Sequence, residues 1–224
     1  MIKDIIIAID GHSGCGKSTT SKFVAEYFNY KYLDSGAMYR AITLYLMRRK
    51  ISHKETDLIK DKLNDINITF DYVDGHQNTF LNNENVEKEI RGKKISNFVS
   101  KYSSISIIRE YLVSIQKEIG KEKKIVVEGR DITTIVFPDA EIKIFMTADI
   151  DVRAKRRFED MKKNNPDITY GDVLKNLTER DSKDSNRKDS PLRVADDAII
   201  VDTSSLEIDE QTKKIIDLIK NKFS

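Results

Sequence analysis

The sequence predicts an α/β fold, a mostly parallel β-sheet with helices on both of its faces. Three observations carry this prediction. Short apolar runs rich in β-branched residues, such as residues 5–9, are typical of strands buried on both faces. Stretches with a helical hydrophobic period alternate with these runs, as they do in parallel sheets. The first run also leads directly into a glycine-rich loop and then a helix.

Each element is predicted from its hydrophobic period or its turn residues. Asp34, Ser35 and Gly36 form a turn and N-cap cluster, and Gly120 can end a later helix. Alternation around Asp74 and Gly75 predicts an antiparallel hairpin inserted at residues 66–81. The predicted order is strand 5–9, helix 17–28, strand 30–33, a helix around 38–46, helix 54–66, the hairpin, helix 104–119, strands 124–128 and 142–147, helices 151–163 and 170–184, strand 198–202 and helix 207–223.

Composition narrows the classes of function. The chain of 224 residues is long enough for one sizeable core with inserted subdomains. Its 39 basic and 37 acidic residues leave a net charge of +2, so no general field favours nucleic acid or an anionic membrane. A single cysteine, Cys15, excludes an intramolecular disulfide, and no apolar run approaches the ~20 residues of a membrane span. With the first strand at the very start and no signal peptide, we expect a cytoplasmic protein.

The glycine-rich loop predicts a phosphate site. Residues 11–18 read Gly-His-Ser-Gly-Cys-Gly-Lys-Ser, the full P-loop pattern, and lie between a predicted strand and a predicted helix. The glycines allow positive φ angles, so successive N–H groups can turn towards phosphate oxygens. Lys17 supplies a point charge for the β- and γ-phosphates, and Ser18 a hydroxyl for Mg²⁺. The helix that begins here directs its positive end at the same anion.

Arginines elsewhere in the chain predict a second anionic ligand. They are Arg40 after the turn at 34–36, Arg130 in the tetrad Glu-Gly-Arg-Asp at the end of a buried strand, and Arg180 and Arg187 in the segment 180–187, which follows Arg153, Arg156 and Arg157. If 180–187 is helical, Arg180, Asp184 and Arg187 share a face. Each cluster alone is also compatible with an exposed, salt-bridged surface. Together they suit the bridging of two phosphate-bearing substrates.

Phosphoryl transfer to a phosphate acceptor explains why the sequence shows no motif for a general base. A phosphate monoester is already ionised near neutral pH, because its second pKa is about 6, so no general base is required. The three histidines accordingly form no recognisable motif. Residues 153–193 are basic and separate from the core strands, and we interpret them as a lid that excludes water during transfer.

Several blocks in a fixed order give the chain a family resemblance. Besides the P-loop they are residues 33–40 (Leu-Asp-Ser-Gly-Ala-Met-Tyr-Arg), 128–131, 136–140 (Val-Phe-Pro-Asp-Ala), 153–157 and 180–187. Over nearly its whole length the chain resembles the bacterial cytidylate kinases, of the nucleoside monophosphate (NMP) kinase group. The resemblance implies a P-loop core at 1–34, 103–152 and 194–224, an NMP-binding subdomain at 35–102 with a β insertion near 66–98, and a lid at 153–193.

The resemblance also implies a reaction and a set of site residues. ATP with Mg²⁺ would phosphorylate CMP or dCMP to CDP or dCDP. On the ATP side it implies Gly11, His12, Ser13, Gly14, Cys15, Gly16, Lys17, Ser18 and Thr19, with Ser18 at the metal, and Arg157. On the acceptor side it implies Ser100, Arg109 and Asp131 at the cytosine, Arg180 and Asp184 at the sugar, Arg40, Arg130 and Arg187 at the phosphate, and Ser35 beside them. The catalytic charges would be Lys17, Arg130, Arg180 and Arg187.

Five residues depart from the family pattern: His12 in place of proline, Cys15 at a small-residue position, Thr133 where glycine is common, and Lys183 and Ser185 where arginine is frequent. Thr133 would alter a tight turn beside the base pocket, and the lid changes would weaken the grip on ATP. Cys15 is either a small filler residue or a thiol whose oxidation would block nucleotide binding.

Alternative functions are weighed by what the sequence contains. A GTPase switch is disfavoured because Asn-Lys-x-Asp and a strand-following Asp-x-x-Gly are missing. A binding module without turnover is also disfavoured. The near-neutral net charge argues against broad contact with nucleic acid, and a module with a single ligand would not need paired arginines. A P-loop kinase with a different monophosphate or a small alcohol as acceptor stays open. We expect a monomer, because the enclosing segments must move around the site.

Overall fold

The strand β1, Ile6–Gly11, lies at the centre of the main sheet of the protein. The computed structural model describes residues 4–73, 76–163 and 166–223. Parallel neighbours flank β1 on both sides, β6 (Ile125–Gly129) and β7 (Ile142–Thr147). The outer strands are β2 (Lys31–Asp34) and β8 (Ile199–Asp202), of which β8 pairs with β7 in parallel. The five strands run in the order β2-β6-β1-β7-β8. A mostly parallel sheet is therefore confirmed.

Every second side chain along the first strand points to the same face of the sheet, and this explains how that face is packed. Ile5, Ile7 and Ile9 are all buried and belong to one apolar cluster. Helices α1 (Lys17–Phe28) and α9 (Ile208–Lys222) contribute to the same cluster through residues such as Val24 and Ile215. Strand and helix residues thus meet in one core.

The contacts divide the chain into two compact units, residues 1–33 with 119–224 and residues 34–118. The first unit holds the main sheet and two helices that pack on each other, α7 (Ile150–Lys162) and α8 (Tyr170–Asn186). Ala154, Val173 and Leu177 form a small buried cluster of their own. The second unit begins with the helix-capping residue Asp34 and extends to residue 118.

The second unit combines helices with a small antiparallel sheet. Strand β3 (Ile68–Val73) pairs antiparallel with β4 (His76–Leu81), and the two-residue β5 (Glu84–Asn85) adds to β4. The predicted hairpin is confirmed in its strands, whereas the turn signal at Asp74 and Gly75 lies outside the described residues. The helices are α2 (Ser35–Arg48), α3 (Thr56–Leu63), α4 (Glu87–Ile90), α5 (Lys93–Tyr102) and most of α6 (Ser106–Gly120).

Two structural features are missing from the sequence prediction. Helices α4 and α5 follow the small sheet, whose strands end at Asn85, and neither helix was predicted. The buried residues Ile95, Val99 and Tyr102 of α5 have the helical spacing that could have revealed it. A π-helical turn over Ile132–Val136 was also missed, since its β-branched residues resemble a strand. None of the helices in the described part of the chain has the length and apolarity to cross a membrane.

Candidate active site

The loop after β1 has the backbone geometry that its glycines predict. Gly11, Gly14 and Gly16 have φ angles of 149°, 82° and 86°, which side chains rarely permit. A Cβ atom on Gly11 would lie 2.0 Å from the carbonyl oxygen of Met146 on the neighbouring strand β7. The loop therefore needs glycine both for its conformation and for its close approach to the sheet.

Lys17 is the charged group in the interior of the P-loop. Its ammonium donates a hydrogen bond to the carbonyl of His12 over 2.7 Å and lies 3.7 Å from the sulfur of Cys15. Burial, and then the positive charge of Arg130, lower the pKa of Lys17. A buried cation is costly, and an anion bound in the loop would offset that cost.

Cys15 is fully buried, and its thiol donates to the carbonyl of His12 over 3.1 Å. Its environment is that of a small buried filler residue, as the first of the two interpretations proposes.

The backbone amides of the first turn of α1 receive no side-chain cap among the described residues. The residue before the helix is Gly16, which has no side chain to accept a hydrogen bond from these amides. Ser18 and Thr19, at the start of the helix, are exposed. The P-loop thus leads directly into the N-terminus of α1, whose positive end favours an anion.

Arg130 directly follows the last residue of β6 and contacts helix α8. Arg130 donates from Nε to Oδ2 of Asp184 over 3.0 Å and from Nη1 to the carbonyl of Gly129 over 3.1 Å. Arg180, one helical turn before Asp184, lies with its Nε 3.9 Å from the same carboxylate oxygen. Two guanidinium groups from different elements therefore converge on Asp184, but they are Arg130 and Arg180 and not the predicted pair Arg180 and Arg187.

Arg187 is placed differently from the helical prediction. Helix α8 ends at Asn186, and Arg187 has an extended backbone with φ −65° and ψ 146°. Its Nη2 atom lies 3.7 Å from Oδ1 of Asp131 instead of near Asp184. The break in the helix thus turns this arginine towards the segment that follows β6.

The three arginines of α7 differ in their hydrogen-bond partners. Arg153 and Arg156 bind main-chain carbonyls, Arg153 that of Ala148 at 2.8 Å and Arg156 that of Thr203 at 2.8 Å. Both therefore stabilise the fold. Arg157 differs, because its Nε has no hydrogen-bond partner among the described residues and its pKa is lowered by burial and then by the charge of Arg130. Of the three, Arg157 is the one left to meet an anionic ligand.

His12 links the loop to helix α8. Its Nδ1 lies 3.6 Å from Oδ1 of Asp181, whose other oxygen accepts a hydrogen bond from Arg153 over 2.6 Å. Arg153 also donates to the carbonyl of Ser13 over 3.2 Å. The departure from proline at position 12 thus replaces a rigid loop residue by a polar contact to α8.

The second unit holds four of the predicted residues. Ser35 is the buried first residue of α2, and Asp34 caps this helix by accepting from the amide of Ala37 over 2.9 Å. Arg40, also on α2, donates from Nη1 to the carbonyl of Ile90 and to the hydroxyl of Ser96, over 3.2 and 3.1 Å. The N-cap prediction is therefore confirmed, and Arg40 is held by α4 and α5.

The other two residues of this unit lie on α5 and α6. Ser100 is half-buried. Arg109 is 3% exposed, donates from Nη1 to the carbonyl of Ser103 over 3.1 Å and lies with its guanidinium carbon 5.4 Å from the ring centre of Tyr39.

Asp10 is the residue of this region that the sequence analysis missed. It is fully buried at the end of β1 and accepts hydrogen bonds from the amide of Ile132 and from the amide and hydroxyl of Thr133. Burial raises its pKa to about 6, although these hydrogen bonds favour the ionised form. Its position directly before Gly11 was the one available signal. Thr133, noted as a departure, is thus part of a buried polar contact.

Comparison with known proteins places these features in a family. The family model described as cytidylate kinase matches residues 7–221. A cytidylate kinase of Flavobacterium psychrophilum is 47% identical over 226 residues, covering 98% of this chain and all of the relative. A cytidylate kinase of Bacteroides fragilis is 47% identical over 215 residues, covering 94% of each chain.

A solved structure supports the fold independently. A shikimate kinase from Bacteroides thetaiotaomicron superposes with a TM-score of 0.51 at 13% identity, over 96% of this chain and 98% of that one. At such low identity the likeness concerns the fold alone. The full-length match in sequence goes further, and it confirms both the resemblance and the class of enzyme that the sequence predicts, a phosphotransferase. This chain therefore belongs to the cytidylate kinase family.

Proposed function

We propose that this protein transfers the γ-phosphoryl group of Mg-ATP to CMP and dCMP, forming CDP and dCDP. The observation that carries the proposal is the match to the cytidylate kinase family over residues 7–221. The geometry within the first unit supports it, because a P-loop with a buried lysine and a convergence of arginines are the two charge clusters that such a transfer needs.

The P-loop is the proposed donor site. The backbone of residues 11–19 would surround the phosphates of ATP, with Lys17 as the charge nearest the transferred group, and Arg157 would approach the same nucleotide. No group of three or more histidine, cysteine or acidic side chains within the described ranges could hold a metal. Ser18, whose side chain is exposed at the start of α1, would hold Mg²⁺ through its hydroxyl, and the ion would neutralise developing charge on the phosphates.

We propose acceptor roles for residues of each unit taken by itself. From the first unit, Arg130 and Arg187 would bind the acceptor phosphate, Arg180 and Asp184 the sugar, and Asp131 the base. From the second unit, Arg40 would bind the phosphate and Ser100 and Arg109 the cytosine, with Ser35 beside them. Cytosine presents its N4 amino group as a donor where uracil has a carbonyl, so a carboxylate such as Asp131 discriminates between them. A buried acceptor that faces a carbonyl would be left unpaired.

Catalysis would then consist of positioning and charge stabilisation. The acceptor oxygen is ionised at neutral pH, so no side chain has to remove a proton. Lys17, Arg130, Arg180 and Arg187 would stabilise the charge that spreads over the transferred phosphoryl group. The division into a core, an NMP-binding subdomain at 35–102 and a lid at 153–193 accompanies this proposal, as does the monomeric state.

A coupled assay of ADP release tests the proposal. Purified protein receives ATP and Mg²⁺ with CMP, dCMP, UMP or AMP in turn, and Lys17→Met serves as the inactive control. We expect strong turnover with CMP and dCMP and little with AMP. Turnover with another monophosphate alone would favour the second candidate, a P-loop kinase with a different acceptor, and would discard the assigned base contacts.

A further inference from the structure

Asp10 joins the entrance of the P-loop to the segment that follows β6. Its Oδ1 accepts a hydrogen bond from the amide of Ile132 over 2.9 Å. Its Oδ2 accepts two more from Thr133, from the amide over 2.7 Å and from the hydroxyl over 2.6 Å. A fully buried carboxylate needs such partners, and all three that the structure gives come from two consecutive residues.

The residues that Asp10 holds begin the π-helical turn Ile132–Val136. Asp131 directly precedes this turn, and Arg130 precedes Asp131. On the other side, Asp10 is paired in register with Gly129 of β6 and is followed by Gly11 of the P-loop. Short π-helical segments often occur at functional sites, where they present a side chain that a regular helix could not.

Asp131 itself has an unusual backbone, with φ −146° and ψ 23° between the strand and the turn. Its carboxylate lies 3.7 Å from Arg187. The orientation of Asp131 is therefore set by the backbone on each side of it, β6 before and the turn after. The three hydrogen bonds to Asp10 hold the turn in place relative to the sheet.

We propose that Asp10 and Thr133 are positioning residues for the acceptor nucleotide, which orient Arg130 and Asp131 by anchoring the π-helical turn to the strand that carries the P-loop. The inference rests on the proposed function, since it assigns a cause to the placement of two proposed acceptor residues. Neither Asp10 nor Thr133 has to touch a substrate. Their effect is on recognition of the monophosphate and its base.

Replacement of the Thr133 hydroxyl is the first test. Thr133→Val keeps the β-branched shape and the hydrogen bond from the backbone amide. It removes only the hydrogen bond from the hydroxyl to Oδ2 of Asp10. We expect the KM for CMP to rise about tenfold and the preference for CMP over UMP to fall about tenfold, the effect of one lost bond to a charged group. The KM for ATP should change by less than about twofold, because the P-loop backbone is untouched. Thr133→Ser keeps the hydroxyl and should restore the preference.

The adjacent residue provides a matched control. The hydroxyl of Thr134 has no hydrogen-bond partner among the residues that the structure describes. Thr134→Val therefore makes the same chemical change in the same turn without breaking a bond, and it should leave both KM values and the base preference unchanged. Equal effects of Thr133→Val and Thr134→Val would contradict the inference.

A second variant and a binding measurement keep the test decisive. Asp10→Asn has one acceptor atom in place of two and should raise the KM for CMP more than Thr133→Val does. A variant that merely folds poorly loses turnover with every substrate alike, so the ratio of the two KM values separates that case. Unchanged KM for CMP and unchanged base preference in both Thr133→Val and Asp10→Asn would overturn the inference. Absence of CMP turnover and of CMP binding by calorimetry in the wild-type protein would instead overturn the proposed function, and this inference with it.

Discussion

Arg130 donates a hydrogen bond from its Nε to Oδ2 of Asp184 over 3.0 Å, although 54 positions separate the two residues in the sequence. The contact joins the end of a buried strand to a helix of the predicted lid. Arg180 lies near the same carboxylate oxygen, at 3.9 Å. A single aspartate thus holds two of the proposed catalytic guanidinium groups together.

Asp184→Asn should lower the affinity for the acceptor more than it lowers the stability of the fold. The asparagine can still accept the hydrogen bond from Arg130, but it no longer balances two buried positive charges. We expect the KM for CMP to rise by at least about tenfold, because a charge-assisted contact is lost at a largely buried site. Steady-state kinetics with CMP varied at saturating ATP checks this.

Asp197→Asn is the matched control for that substitution. Asp197 pairs with Lys143 at 2.9 Å but is 67% exposed, so its charge is screened by water. Kinetics as impaired in Asp197→Asn as in Asp184→Asn would show that loss of any carboxylate suffices, and would contradict the specific role of Asp184.

Lys17→Met should abolish activity without destabilising the protein. Burial, followed by Arg130, lowers the pKa of Lys17, so at neutral pH the folded state disfavours the charged ammonium. Its removal should therefore keep or raise the melting temperature, while turnover falls at least about a hundredfold because the transferred phosphoryl loses a charge partner. Thermal melts and the ADP-release assay measure both effects. The exposed Lys22→Met on the same helix should change neither, and a large drop in melting temperature of Lys17→Met would refute the argument.

Gly16→Ala should destabilise the P-loop through two separate effects. The φ angle of 86° costs an alanine about 1–2 kcal/mol, and its Cβ would lie 2.5 Å from Nε2 of the buried Gln211. In the free energy of unfolding from urea denaturation, Gln211→Ala in the same chain should recover the part due to the close contact but not the part due to φ.

Gly171→Ala is the reference for this series, because its nearest atom is 3.8 Å away and its φ is not positive. Since alanine is the better helix former, this substitution in α8 should stabilise the protein by about 0.5–1 kcal/mol. Complete recovery of Gly16→Ala by the Gln211 substitution would show that the φ angle carries no strain.

Asp10 should give the protein a pH dependence of its own. Its pKa is raised from 3.8 to about 6 in the folded state, so between these values the folded protein binds more protons than the unfolded chain. The contribution of Asp10 to stability therefore falls as pH rises from 3.8 to 6, by about 3 kcal/mol in all.

Other carboxylates act in the opposite direction. The pKa of Asp181 is lowered although burial raises it, because His12 and Arg153 bind its ionised form, and this stability is lost on acidification. The measurement is therefore the difference in free energy of unfolding between wild type and Asp10→Asn, followed from pH 7 to pH 4. We expect the free energy of unfolding of the wild type to rise relative to that of Asp10→Asn as the pH falls. A difference independent of pH would mean that Asp10 titrates normally.

The sequence by itself determined the alternating strands and helices, the P-loop and the family, since all of these are carried by contiguous patterns. The spacing of Gly11, Gly14 and Gly16 was enough to predict their positive φ angles. The helix α5 could have been predicted in the same way, because the period of Ile95, Val99 and Tyr102 is local too.

Only the tertiary structure decided which side chains act together. Arg153 and Arg157 are both arginines of one helix, yet one binds main-chain carbonyls, while the Nε of the other has no hydrogen-bond partner in the described part of the chain. Arg187 reaches Asp131 because α8 ends one residue before it. The bond between Asp10 and Thr133 spans 123 positions and exists because β1 and β6 are neighbours in the sheet. Such contacts depend on strand order, helix ends and burial, and these are properties of the folded chain that no local pattern encodes.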